Sequence, residues 1–353
     1  MQASVKPAAK TSIKRAPDER VNWKTSLPFI IVHLLPLVAI FTGVTWTAVI
    51  LCFVLYYGRM FFLTAGYHRY FAHRSYKMGR PMQFVMAFGG TMCAQKGPLW
   101  WAGHHRDHHR YSDTPQDIHS PLKGFWWSHL GWILSDKYNE VDYDAKIRDF
   151  AKYPEIRWID KYNFIGPWTL GIAAFLIGGL PGLFFGFFLS TVLLFHGTFL
   201  VNSLAHVMGR RRYATTDTSK NSALIALVTN GEGWHNNHHY YQASARQGFY
   251  WWEFDLSFYV IKLMSWVGLA SDVKVPSAEK RAANHIKDGA FDVGIFQVQL
   301  MRAETTFENS GDKPGDERYA AIQRKLAESI ESAQESASDL ARTVTSRRRP
   351  ATA

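Results

Sequence analysis

Two long stretches almost without charge constrain the fold of this chain more than any other feature. Between Leu27 and Gly66 the only formally charged residue is Arg59, and between Gly166 and Ala205 there is none. A membrane-spanning helix needs about 20 apolar residues at a rise of about 1.5 Å each, so each stretch is long enough for two such helices. The sequence therefore predicts an all-α integral membrane protein built on two helical hairpins.

Each of these stretches contains a turn signal near its middle. The sequence "FTGVTW" interrupts the first stretch, and "GGLPG" interrupts the second. Trp23, Trp46 and Trp168 stand near the proposed helix ends, where amphipathic rings prefer the headgroup layer of a bilayer. We therefore expect four transmembrane helices, at about residues 27–44, 46–66, 164–179 and 182–205.

Positive charge lies on one side of the predicted membrane. Lysines and arginines precede the first stretch and follow both, whereas the two hairpin turns carry none. This asymmetry predicts that residues 67–162 and 206–275 form a cytoplasmic cap. The net charge of +11 is then explained by membrane topology and gives no reason to expect a nucleic-acid partner.

Composition divides the chain into three parts. Residues 1–26 form a basic tail that we expect to be disordered, residues 27–275 form the membrane domain, and residues 276–353 form a polar extension that is partly helical or disordered. Within the domain, Met82–Gln95 is apolar but too short to span, which favours an interfacial or buried helix. Charged residues within Phe249–Leu269 likewise favour a helix lying on the bilayer or on the cap.

Most of the fifteen histidines fall into four places near the predicted membrane exits. "HRYFAH" contains His68 and His73, and "HHRDHH" begins at His104. His206 ends the predicted fourth span, and "HNNHH" begins at His235. Because all four places lie in the cap or just beside it, their side chains can converge on one site.

The spacing shows which histidines share a helix face. Residues three and four apart on a helix lie on one face, so each H-x-x-H-H sequence presents three imidazoles together. His104 then points elsewhere, and a straight helix would separate His68 from His73, so the helix should end or bend between them. The histidines that we expect to converge are His68, His73, His105, His108, His109, His206, His235, His238 and His239.

Nine imidazoles and one water suit two five-coordinate metal ions. Asn202 lies four residues before His206, on the same helix face, where its amide can hold the water. Imidazole suits iron, zinc, copper or nickel, and a dinuclear site beside an apolar chamber favours oxygen-activating iron. A loose metal-buffering tract is the alternative, but such tracts lack repeated spacing. Five histidines outside the set are assigned to packing or support: His33, His119, His129, His196 and His285.

The histidine motifs resemble those of the membrane fatty acyl desaturase family, in particular the stearoyl-CoA desaturase group of bacterial type. The resemblance covers about residues 27–269 and follows the order "HRYFAH", "HRDHH", "WWSHLGWIL", "NSLAH" and "GEGWHNNHH". The Asn202–His206 pair and the spacing within Gly231–His239 separate it from the alkane and sterol hydroxylase branches, whose histidine spacings differ.

The resemblance implies a membrane oxidoreductase with its active site on the cytoplasmic side of a bacterial cytoplasmic membrane. It implies two iron ions and O₂, which insert a cis double bond, at the Δ9 position by default, into a saturated long-chain acyl group. It implies no catalytic residue beyond the metal ligands. One iron would take His68, His73, His109, His239 and the water on Asn202. The other iron would take His105, His108, His206, His235 and His238.

The substrate residues depart from the pattern of the animal enzymes. Where that pattern has an Arg–Asp pair beside the CoA headgroup, this chain has Gly103 and His104, and a second basic pair has become Leu122–Lys123. Acyl-CoA is the expected substrate, with phospholipid-linked or carrier-protein-linked chains as alternatives. The candidate phosphate-binding residues are Lys96, Arg106, Arg110 and Lys123, and Thr198 would help to shape the substrate tunnel.

Two other functions are compatible with a histidine-rich membrane protein. A di-iron hydroxylase could use the same scaffold, and a metal transporter could use the same ligands. Transport needs polar residues along the spans, and these contain little beyond His33, Arg59 and His196. The desaturase is therefore the main hypothesis, with the hydroxylase as its nearer rival.

The expected reaction needs external electrons, and the chain carries no motif that could store them. It has no haem, flavin or nicotinamide motif, and its two cysteines cannot hold an iron–sulfur cluster. We therefore expect a separate donor, a ferredoxin, rubredoxin or b-type cytochrome with its reductase, on the basic cap. The cap cations can equally contact anionic membrane lipid: Arg210, Arg211, Arg212, Lys220 and Arg246.

Overall fold

The computed structural model describes residues 16–289, 292, 294 and 295, and within them the regular structure is helical. Extended backbone pairs in this part of the chain are isolated bridges, such as the one between Val21 and Ser135. The expected all-α fold is confirmed for these residues. Most of the predicted polar extension, residues 276–353, lies outside the described part.

The first apolar stretch forms a helical hairpin. Its first arm consists of Leu27–Leu34, a 3-10 turn at Leu35–Val38 that contains Pro36, and Ala39–Thr42. Gly43 has a φ of 77°, which a side chain would disfavour, and it reverses the chain. The second arm, Trp46–Phe61, begins where the Thr45 side chain accepts a hydrogen bond from the backbone of Ala48.

The second arm does not stop at Phe61 but widens into a π-helix over Phe62–Ala72. All but the first residue of this π-helix are buried. Together Trp46–Ala72 is long and apolar enough to cross a membrane, whereas Leu27–Thr42 is a shorter apolar helix. The first two histidines of the expected set therefore lie at the C-terminal end of a long apolar helix.

The second apolar stretch, Ile165–His206, is also long and apolar enough to cross a membrane. It is not one straight helix, because Gly179 has φ 62° and ψ −152° and breaks it. The segments that make up this stretch are Ile165–Pro181, a π-helix at Gly182–Leu189, Ser190–Asn202 and a 3-10 turn at Leu204–His206. The backbone of Ala174 lies against Gly182, which shows that the two arms pack closely.

Most of the remaining helices lie between and after the two apolar stretches. The expected helix in Met82–Gln95 is present as Arg80–Thr91, and the helix in Phe249–Leu269 is shorter than expected, because the Asp255 side chain caps its start. The α-helices of this region are Arg80–Thr91, Pro98–Tyr111, Tyr143–Lys146, Arg148–Ala151, Pro154–Lys161, Ala223–Val228, His235–Tyr240, Leu256–Trp266 and Ala278–Ala282. Short 3-10 or π turns occur at Pro17–Glu19, Pro121–Lys123, Trp127–Gly131 and Ile286–Asp288.

Residues 16–26, which the composition assigned to a disordered tail, are instead held against the cap, and we call them the N-terminal strap. The backbone N–H of Asn22 donates to the carbonyl of Leu134 at 2.9 Å. The Asn22 amide donates to Asp136 at 2.5 Å, and Ser26 Oγ donates to the Leu134 carbonyl. The expectation of a disordered tail is corrected for this segment, because contacts with residues more than a hundred positions away order it.

Candidate metal centre

The first two histidines are brought to one face by the π-helix. Its wider turn places residues five apart above one another, and the backbone N–H of His73 donates to the carbonyl of His68 at 3.1 Å. The π-helix ends at Ala72, directly before His73. We expected the helix to end or bend between His68 and His73. The structure instead brings the two side chains together by widening the last turn into a π-helix, which ends just before His73.

Five histidines direct their Nε2 atoms into one small volume. The Nε2 of His238 lies 3.0 Å from that of His68 and 2.9 Å from that of His109. The Nε2 of His105 lies 3.0 Å from that of His73 and 2.9 Å from that of His109. This five-histidine group comprises His68, His73, His105, His109 and His238, whose ligand atoms all lie within 4.8 Å of one another.

Four further histidines form a second cluster beside the first. The Nε2 atoms of His206 and His235 are 3.1 Å apart, and the rings of His235 and His239 are 4.4 Å apart. The Nε2 atoms of His108 and His239 are buried and have no hydrogen-bond partner. This four-histidine group comprises His108, His206, His235 and His239, and its ligand atoms also lie within 4.8 Å of one another.

The arrangement of nitrogen atoms within each group favours a bound cation. Nitrogen lone pairs that face each other at about 3 Å repel unless a proton or a metal ion lies between them. Buried nitrogens without partners, as on His108 and His239, lose solvation that a metal ion would replace. All nine histidines of the expected set therefore stand in two groups that could each hold one ion.

The structure groups the nine histidines differently from the division that the resemblance implied. His239 stands with His108, whereas the resemblance placed it with His68. His105 and His238 stand with His68, whereas the resemblance placed them with His108. The division is corrected, because i, i+4 neighbours on one helix, such as His105 and His109, point into the same volume.

In four of the nine histidines, a carboxylate contacts the Nδ1 atom, on the opposite side of the ring from Nε2. The Nδ1 atom of His68 is 2.6 Å from Glu232, and that of His108 is 3.0 Å from Asp117. The Nδ1 atom of His206 is 3.0 Å from Asp113. A carboxylate accepts the Nδ1 proton, so the Nε2 lone pair of each ring is free to face the centre.

The last of these pairs joins His239 and Asp217, whose Nδ1–Oδ2 distance is 2.7 Å. All four carboxylates are buried, and Arg69 compensates Glu232 with a contact of 2.9 Å from Nη2. Sequence reasoning missed them because none lies at helical spacing from its histidine. The signal available was the acidic residue inside or just after each motif, as in "HHRYSDTPQD" and "GEGWH".

Burial keeps five of the nine imidazoles in the neutral form that binds metal. Desolvation, with repulsion from neighbouring imidazoles, holds the pKa of His73, His105, His109, His235 and His238 well below the usual 6.5. Burial alone would raise the pKa of Asp117, but the neighbouring imidazoles of His108 and His119 lower it. A neutral imidazole is the form that binds a metal ion, so burial prepares these five side chains as ligands.

His104 and His119 stand outside the two groups. The His104 Nε2 donates to the carbonyl of Tyr138 at 2.9 Å, and burial lowers its pKa to about 4. The His119 ring lies 4.1 Å from the ring of His108, and its Nδ1 is 3.9 Å from Asp117. His104 thus points away from the centre, as its spacing predicted, while His119 contacts the back of one ligand and its carboxylate.

A cavity of about 480 Å³ reaches the five-histidine group, and we call it the main cavity. Its inner wall includes His105 and apolar side chains such as Phe195 and Phe199. A second space of about 30 Å³ lies between Asn202 and histidines of both groups. That volume accommodates a water molecule, which is what the expected role of Asn202 requires.

The expected substrate residues divide into those that line the main cavity and those that do not. Thr198 and Lys96 line it, and Thr198 accepts a hydrogen bond from Gln95 at 3.0 Å. Arg106 forms a bidentate pair with Asp149 at 2.9 Å, and Lys123 binds Glu19. Arg110 is exposed beside the five-histidine group and is not among the cavity-lining residues.

The fold and this site define a class: an all-helical protein with long apolar helices and paired clusters of buried histidines that could bind metal. A family model described as fatty acid desaturase matches residues 44–262. The chain belongs to the fatty acid desaturase family.

Several curated relatives cover most of the chain. An acyl-CoA 5-desaturase of Anemone leveillei is 40% identical over 248 residues, which are 69% of this chain and 77% of the relative. An sn-1 stearoyl-lipid 9-desaturase of Anabaena variabilis is 37% identical over 267 residues, 75% and 98% of the two chains. A Delta-9 acyl-lipid desaturase of Arabidopsis thaliana is 37% identical over 252 residues, 71% and 82% of the two chains.

Proposed function

We propose that this protein is an O₂-dependent di-iron desaturase that inserts a cis double bond into a saturated long-chain acyl group. The observation that carries the proposal is that two groups of converging imidazole nitrogens lie side by side, and that an apolar cavity reaches the five-histidine group at His105. The five-histidine group would hold one iron. The four-histidine group would hold the other, with a water on Asn202 as its fifth ligand.

Iron bound in these groups would supply the O₂-derived oxidant that removes hydrogen from an unactivated methylene. The residues of the chain supply orientation. Glu232, Asp113, Asp117 and Asp217 would fix the ligand rings, so that Nε2 faces each ion. The apolar walls of the main cavity would exclude water and hold one part of the acyl chain against His105.

The position of the double bond would follow from the depth of the main cavity. Successive methylenes are chemically alike, so a fixed distance between the mouth and the metal centre must select the carbon pair. Thr198, tied to Gln95, stands on the cavity wall where it can shape this path. The Δ9 position is proposed by analogy with relatives named as 9-desaturases.

The proposed topology has four spans and a cytoplasmic cap. The two apolar hairpins support it, as does the basic charge near the ends of the apolar helices where the histidines lie. We place the protein in a bacterial cytoplasmic membrane with its metal centre on the cytoplasmic side. Electrons would come from a separate acidic redox protein that binds the cap.

Expression in a host without desaturase, together with an electron donor, tests the function. We expect fatty acids that are two hydrogen atoms lighter than their precursors. The variant His105→Ala, which removes one histidine of the five-histidine group, should form no such product. A product heavier by one oxygen atom would identify the hydroxylase instead. An unchanged fatty-acid profile with an active donor present would contradict both.

A further inference from the structure

The mouth of the main cavity carries little positive charge. Its exposed lining residues are Thr25, Pro28, Lys96 and Asn139, which we call the mouth. Lys96 is the one lysine or arginine among the described residues that line the main cavity. Pro28 belongs to the first apolar helix, so in the proposed topology the mouth opens at the level of the bilayer headgroups.

Two further lysines stand beside the mouth, but a carboxylate already binds them. Glu19 Oε1 lies 2.6 Å from Lys123 Nζ and 2.7 Å from Lys137 Nζ. The Glu19 side chain is only 9% exposed, and Lys123 only 15%. Burial acts to raise the pKa of Glu19, but the hydrogen bonds from both lysines lower it to about 2, so it is ionised at physiological pH.

The N-terminal strap fixes Glu19 in this position. The bridge from Val21 to Ser135 and the bond from Asn22 to Leu134 hold the strap against the segment that contains Lys137. Ser135, Leu134 and the residue after Lys137 all line the main cavity. The ion pairs therefore form at the rim of the mouth, where a polar headgroup would lie.

We propose that Glu19 determines which acyl carrier this protein accepts, by occupying the two lysines that a nucleotide thioester would need. Coenzyme A carries a diphosphate and a further ribose phosphate, and binding it requires several unpaired cations. A glycerophospholipid carries a single phosphodiester, which Lys96 alone can match. The proposal rests on the proposed function and selects lipid-linked acyl chains as its substrate class.

Titration of the full-length, iron-loaded protein with free coenzyme A, followed by calorimetry, tests this role without turnover. We expect Glu19→Gln to tighten binding about tenfold or more, because one freed lysine gains a charge-assisted contact with phosphate. Asp18→Asn is the matched control, since Asp18 is an exposed neighbour, and its affinity should equal that of the wild type. The triple variant Glu19→Gln/Lys123→Gln/Lys137→Gln should lose the gain, because neither freed lysine remains.

The variant Lys123→Gln tests the proposal independently if Glu19→Gln does not fold. Lys123→Gln should leave the affinity for coenzyme A unchanged, because Glu19 already binds this lysine in the wild type. Weaker binding by Lys123→Gln, or equal binding by wild type and a folded Glu19→Gln, would overturn the proposal. Failure of the proposed function would show separately, as absence of desaturated product from both stearoyl-CoA and distearoyl phospholipid.

Kinetics provide the second measurement, with stearoyl-CoA and distearoyl phospholipid as the substrates. Glu19→Gln should lower KM for stearoyl-CoA without changing kcat, and it should lower KM for the phospholipid by a smaller factor, because that substrate carries a single phosphodiester. A purely structural role of Glu19 would instead lower turnover of both substrates together. That outcome would overturn the assignment of Glu19 as a determinant of carrier choice.

Discussion

At the scale of single residues, the hydrogen-bond partner of Nδ1 decides whether Nε2 of the same imidazole can bind a metal ion. His239 is held through Nδ1 by Asp217 at 2.7 Å, and this carboxylate also accepts hydrogen bonds from Ser219 and Thr215. An amide in place of the carboxylate could turn its NH₂ towards Nδ1 and favour the tautomer whose Nε2 carries a proton. The carboxylate thus prepares the ring for a metal ion.

Asp217→Asn should therefore weaken metal binding by about 10- to 100-fold, with a matching loss of turnover. Iron content after dialysis against a graded chelator series measures the effect. Asp144→Asn is the control, because Asp144 is 80% exposed in its pair with Arg157 and lies away from the histidines. Equal iron retention by Asp217→Asn and the control would show that the carboxylate does not support a ligand.

Adjacent histidines on one helix provide a sharper comparison. His105 belongs to the five-histidine group, whereas His104 donates to the Tyr138 carbonyl and faces away. We expect His105→Ala to lower the iron content and abolish turnover, and His104→Ala to leave the iron in place. Metal analysis of the two purified variants checks this. Similar iron loss in both would mean that the assignment of the helix face is wrong.

At the scale of helices, glycines let the π-helix approach its neighbour. A Cβ built on Gly90 would lie 2.0 Å from the Tyr67 ring, and one on Gly89 would lie 2.3 Å from Phe62. Helix Arg80–Thr91 therefore packs against the π-helix through a face without side chains. This close packing supports the widened turn that carries His68 and His73.

Gly90→Ala should destabilise the iron-loaded protein by about 1–3 kcal/mol, because the new methyl group forces the Tyr67 ring to move. Gly58→Ala is the matched control, since no atom lies within 4 Å of its added Cβ and alanine favours a helix by about 0.5–1 kcal/mol. Thermal unfolding in detergent measures both changes. A Gly90→Ala protein as stable as Gly58→Ala would contradict the close packing described.

The helices also show how far the sequence could predict the site. Local periodicity predicts the i, i+4 pairs within each H-x-x-H-H motif, such as His105 and His109. It does not predict that each motif divides its three histidines between the two groups. The carboxylate partners were not predictable either, because Asp113 lies 93 residues before His206 and only the tertiary fold brings them together. The same holds for the strap, where Glu19 meets lysines 104 and 118 residues later.

Irregular helix geometry explains why the sequence did not predict how His68 and His73 come together. Periodicity gives angles for a regular α-helix, and the π-helix at Phe62–Ala72 departs from that period. The hairpin turns were predictable, because Gly43 and Gly179 adopt positive φ where the turn signals stood. Which i, i+4 pair shares a group with histidines of other helices depends on how those helices pack together, and no local pattern specifies that packing.

At the scale of the whole molecule, the proposed reaction needs electrons, which we expect a separate donor protein to deliver. Reconstituted activity should be absent without an added donor, and with one it should fall as the salt concentration rises, because an acidic donor would bind the basic cap through screened charges. Oxygen consumption at increasing ionic strength measures this. Turnover of the purified chain with a nicotinamide nucleotide and O₂ alone would contradict a separate donor.

We propose that these nine histidines hold two iron ions, which with O₂ would desaturate an acyl chain. The most direct measurement combines the purified iron-loaded protein, a reduced donor, O₂ and distearoyl phospholipid, with mass analysis of the released fatty acid. We expect a product two hydrogen atoms lighter, formed only when iron and O₂ are both present. A product carrying an added oxygen atom, or the same double bond formed after the iron is removed, would contradict this proposal.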